Sequence, residues 1–89
     1  MTEKSIDANV VKEWAEKFSE FASRDADIVT AIITAHQGRT PAYYRELFAL
    51  ELNHYPESSR MTGPAQVKRY VANGALIAYS AHKILYPED

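Results

Sequence analysis

The chain of 89 residues contains no cysteine, which removes disulfides, thiolate metal sites and thiol catalysis together. That absence says nothing about redox compartment. Glycine is scarce: Gly38, Gly63 and Gly74 stand alone, so there is no glycine-rich loop to cradle a phosphate. Ser58, Ser59 and Ser80 lack a Gly-x-Ser-x-Gly context, and no histidine–acid pair can be placed beside them; nucleophilic catalysis has little support. Long apolar runs are missing too. The region from Val71 to Ala81 is interrupted by Asn73 and falls well short of the roughly 20 residues that cross a bilayer. No basic-plus-apolar leader opens the chain. Nor does one sign of charge dominate: 10 Lys and Arg stand against 12 Asp and Glu, a net charge of −2, without the basic excess that neutralises nucleic-acid phosphates. These absences favour a cytoplasmic, non-enzymatic protein with no cofactor.

What is present describes a small globular domain. Hydrophobic residues make up 46% of the chain and charged ones 25%, the balance of an ordinary folded protein rather than a disordered one. The whole chain reads as one domain, with residues 1–5 expected to be flexible and 87–89 a tail. A domain of this size buries only about 60–65% of its unfolded surface, so association would help to stabilise it.

Proline punctuates the second half. Thr40-Pro41-Ala42 opens a segment that closes at Tyr55-Pro56, and Gly63-Pro64-Ala65 opens another that closes at Tyr86-Pro87. Proline suits the first turn of a helix, where its missing N–H would lack a partner, and it opposes continuation further along. The marks predict helices over 41–55 and 64–86. A first helix is predicted over 7–24, capped by Asp7, with Ile6, Val10, Val11, Trp14, Phe18, Phe21 and Ala22 on one stripe. The β-branched run from Asp25 to Gly38 could pass for a strand. Its aspartates as N-caps, Gly38 as C′ residue and the absence of a second strand predict a helix over 26–37 instead. The expected fold class is all-α, four helices in a bundle-like or orthogonal domain. Ile28, Val29, Ile32 and Ile33 make the second helix the expected centre of the core, so that Ile32→Asp would unfold the domain. His36 falls in its last turn.

The last helix carries one stripe from Val67 through Tyr70, Val71, Gly74, Ile77, Ala78, Ala81 and Ile84 to Leu85. At 1.5 Å per residue it would be about 34 Å long, against a domain radius of gyration of roughly 12 Å, so one end is expected to overhang. A second line, Ala72, Leu76, Tyr79, Lys83 and Tyr86, lies on another side. Leu76, Tyr79, Lys83 and Tyr86 therefore form the expected interaction surface, with a second copy of the chain as partner.

Three further constellations bear on function. Glu51 and His54 are spaced E-x-x-H, the pattern by which helical bundles converge on paired metal ions; one such pair needs further ligands from another chain, so no metal is expected. Arg60, Lys68 and Arg69 lie in a stretch without acids from Ser58 to Tyr86 and form a possible anion contact, although a solvated helix face is the simpler reading. The short Gly38-Arg39-Thr40 connection invites a helix-turn-helix reading, with 41–55 as recognition helix. Arg45 beside Glu46 is a poor reader of phosphates or bases, and nucleic acid is the alternative partner rather than the first. Finally, Pro41-x-x-Tyr44-Arg45-x-x-Phe48-x-x-x-Leu52 resembles a helix of the small theta subunits of bacterial replicative polymerases. The resemblance does not extend to the last helix. It implies an all-helical accessory protein that binds another protein, and assigns no residue a role.

Overall fold

A computed structural model describes residues 6–58 and 63–87. The expectations for residues 1–5, for Arg60 and for residues 88–89 of the tail lie outside the described residues. Four helices follow one another: α1 (Ala8–Arg24), α2 (Ala26–His36), α3 (Pro41–Ser58) and α4 (Pro64–Leu85). The all-α, four-helix fold read from the sequence is the fold observed.

The boundaries follow local chemistry. Asp7 accepts a hydrogen bond from the Asn9 backbone N–H at 2.8 Å, which satisfies one of the orphan donors at the start of α1. Asp25 ends α1 and precedes α2 but makes no side-chain cap bond. Gly38 turns the chain after α2 at a φ of 75°, a left-handed conformation that glycine adopts without a Cβ penalty. Pro41 and Pro64 start α3 and α4 as expected. One boundary differs. α3 continues through Pro56 to Ser58, because in the final turn the proline removes a single N–H bond and the earlier ladder holds the backbone in place.

α4 is the centre of the domain. α1 and α3 pack along it most extensively, α2 packs on it over a shorter stretch, and α2 also touches α1. Gly74, Ala75, Ile77, Ala78, Tyr79, Ser80 and Ala81 are all buried. Small residues let flanking helices approach: a Cβ on Gly74 would come within 3.1 Å of Phe21 Cζ. Val11, Trp14 and Ala15 from α1 and Phe48 from α3 complete the principal core. Buried Ser80 is satisfied by donating its hydroxyl to the Leu76 carbonyl at 2.8 Å.

Three expectations about burial are corrected. α2 is not the most buried helix: of its residues only Val29 is buried, and Ile28, Ile32 and Ile33 are half-buried, because α2 rests on the bundle by one edge. Tyr79 is 4% exposed and belongs to the core, because α1, α2 and α3 surround the middle of α4 and cover both of its stripes there. Val67 and Leu85 are 51% and 39% exposed, since each lies at an end of α4. Residues 63–69 are exposed throughout, which is the overhang that the length of α4 implied.

Tyrosines tie the helices together. Tyr44 donates to the His36 carbonyl at 2.9 Å and accepts from the Arg39 N–H at 3.2 Å. Tyr79 lies against Tyr44. Their rings meet edge to face at 5.9 Å. Tyr55 donates to Tyr70 at 2.7 Å, and the two rings stack at 4.9 Å. Burial first, and then the neighbouring phenols of Tyr44 and Tyr70, push the Tyr79 and Tyr55 hydroxyls well above the ordinary tyrosine value.

A pH dependence follows. The unfolded chain releases these protons above about pH 10 while the folded chain keeps them, so the unfolded state binds fewer protons and stability falls as pH rises. The stabilisation is intact below about pH 10 and is lost progressively above it. Urea unfolding from pH 8 to 11.5, followed beside tyrosinate absorbance, is expected to show a flat region and then a steep decline, with two tyrosines ionising only on unfolding. Constant stability to pH 11.5 would contradict the assignment.

Candidate interaction surface

The outward side of α2 has an unusual composition for a helix facing water. Thr30, Ala31, Thr34 and Ala35 are exposed, and no charged residue occurs from Ile28 to Ala35. α1, by contrast, presents Lys12, Glu13, Glu16, Lys17 and Glu20 to solvent. The inward side of α2 is spaced three and four apart, Ile28/Val29, Ile32/Ile33 and His36, which is why it seats on α4. Asp27 stands exposed in its first turn. At the other end Arg39 folds back, its guanidinium donating to the Ala35 carbonyl at 3.5 Å and lying 5.4 Å from the Tyr43 ring centre. His36 Nδ1 and the Tyr43 hydroxyl are 2.7 Å apart, so this end of α2 is held firmly to the start of α3.

Beside α2 runs an open groove of about 470 Å³. Ile32, Ala72 and Leu76 supply its apolar walls, while Glu51, His54, Arg69 and Asn73 supply its polar ones. Asn73 Nδ2 donates to Glu51 Oε1 at 2.8 Å across the α3–α4 contact. Asn73 Oδ1 is buried without a hydrogen-bond partner among the described residues, an arrangement that costs about 1–3 kcal/mol of desolvation. A second, smaller groove of about 210 Å³ lies between the start of α1 and α3, walled mainly by Ile6, Val10, Phe48 and Leu52.

The sequence-selected residues do not assemble into one surface. Leu76 is half-buried in the groove, Tyr79 is in the core, and Lys83 is half-buried with its ammonium 6.0 Å from the Tyr44 ring centre. Tyr86 is 53% exposed and lies at the far end of α4, its ring 5.0 Å from that of His82. Lys68 and Arg69 are exposed on the overhanging turns of α4, and only Arg69 reaches the groove. Glu51 and His54 do share that groove. Among the described residues no group of three or more His, Cys, Asp or Glu is placed to hold a metal.

The helix-turn-helix reading meets a geometric difficulty. α2 packs on α4 and α1 and meets α3 at the joint formed by His36, Tyr43 and Tyr44, rather than bracing α3 along its length. Arg45 and Glu46 are exposed on α3, and their charges oppose one another in any contact with phosphate. Among the described residues, no helix is long and apolar enough to cross a membrane.

Reasoning from sequence missed the outward side of α2 because its isoleucines drew attention to burial. The available signal was the lack of charge across more than two turns, coupled with threonine and alanine on the opposite side. Comparison with protein-family models, curated proteins and solved structures finds no match to this chain.

Proposed function

We infer that this is a small non-enzymatic accessory protein of the cytoplasm that acts by contact with another protein chain, through the outward side of α2 and the groove beside it. The carrying observation is the uncharged run Ile28–Ala35, of which only Val29 is buried. A depletion of charge at the centre of a surface, with polar residues around it, is the compositional mark of an interface. Here Thr30, Ala31, Thr34 and Ala35 form the centre, and Asp27, Arg39, Glu51 and Arg69 stand around them.

A photoreactive residue at Thr34, introduced in cells that make the protein, is expected to yield one discrete protein adduct. The same residue at Lys12, on the charged side of α1, is expected to yield none. No adduct at Thr34, or equal labelling at both positions, would overturn the reading.

A further inference from the structure

We propose that the chain occupying this surface is a second copy, with the two α2 helices crossing antiparallel about a two-fold axis at Ala31. The inference rests on the outward side of α2 being the contact surface and adds its occupant. The argument is one of charge placement. Asp27, Ala31 and Ala35 lie four residues apart, on a single line along the helix. Asp27 marks one end of that line. Arg39 marks the other, because its guanidinium is drawn back over the Ala35 carbonyl. Neither charge has an ion-pair partner among the described residues.

Ala31 falls midway between residues 27 and 35. A two-fold axis through it sets each Asp27 against the guanidinium of the other copy, twice, and leaves only Thr and Ala between the pairs. A parallel arrangement would set Asp27 against Asp27 and guanidinium against guanidinium, and is rejected by like-charge repulsion. Ala31 at the crossing lets the backbones approach closely, and Ile32 at its margin brings apolar area from the groove. The surface is self-complementary, as an isologous interface requires.

One helix per copy is a small interface, below the usual size of a stable complex, so a weak and reversible association is expected. Sedimentation of the purified full chain at up to about 1 mM should show a reversible monomer–dimer equilibrium. Ala31→Arg should weaken it at least tenfold, as should Asp27→Arg and Arg39→Asp individually. The double variant Asp27→Arg/Arg39→Asp should dimerise with itself again but not with the unmodified chain, because each mixed contact would oppose like charges. Circular dichroism and melting verify that each variant is folded; Thr34→Arg, also exposed, replaces any that is not. A monomer at all concentrations would overturn the proposal, as would single charge variants without effect or a double variant that fails to recover. A discrete adduct from Thr34 to a different protein, alongside a monomer in solution, would remove the second copy and leave the contact surface standing.

Discussion

Replacing Ile77 with aspartate will leave the chain unfolded at 25 °C. Ile77 is 0% exposed at the centre of α4, where side chains from α1 and α3 meet. A carboxylate there has no cationic partner among the core residues, which are all apolar. It must be desolvated or protonated, and either costs several kcal/mol in addition to the lost aliphatic packing. A domain of this size holds only about 4–13 kcal/mol in total. The counterpart is Ile32→Asp, which should fold and melt cooperatively, since Ile32 sits half-buried on the open groove and a carboxylate there can stay hydrated. Circular dichroism with thermal melting separates the two. Similar melting of both variants would mean that α4 is not the axis of the core.

Tyr79→Glu has the second largest expected effect. The ring of Tyr79 packs against Phe18 at 5.8 Å and Tyr44 at 5.9 Å between centroids. Glutamate would lose both ring contacts and place an acid beside a phenol whose proton is already committed to the His36 carbonyl. A loss of about 3–5 kcal/mol is expected, lowering the melting temperature by roughly 15–30 °C. Tyr79→Phe keeps the rings and removes only the hydroxyl, at about 1 kcal/mol or less. The contrast between these variants tests burial directly. A surface tyrosine would tolerate both within about 0.5 kcal/mol.

The elements of the fold were legible because their ends carry strong local chemistry. Asp7, Gly38, Pro41 and Pro64 each act within one turn of where they stand, and no tertiary contact is needed to read them. Pro56 misled for a related reason: its effect depends on how much helix already stands behind it. The centre of the fold was harder to find. α4 has two apolar stripes, and a stripe says that a side chain favours cover without saying what provides it. The sign that both are covered from within was the lack of any charge between Arg69 and Lys83, together with the small residues Gly74, Ala75, Ala78 and Ala81. α2 shows the converse. Its isoleucines are as apolar as any in the chain, but burial depends on how many neighbours a helix has, and α2 lies at the rim.

The position of α4 also bears on the order in which a ribosome delivers the chain. α1, α2 and α3 all emerge before the helix on which they pack, and the principal core joins α1 to α4 across the greatest separation in sequence. Until Pro64–Leu85 has left the exit tunnel, Trp14, Phe18, Phe48 and the isoleucines of α2 have no common surface to cover them. At about 5–20 residues per second, that interval lasts several seconds. The nascent chain passes through it with apolar helix faces open to chaperones or to neighbouring nascent chains. A single late helix then closes the domain at once, so its assembly during synthesis is all-or-none rather than progressive.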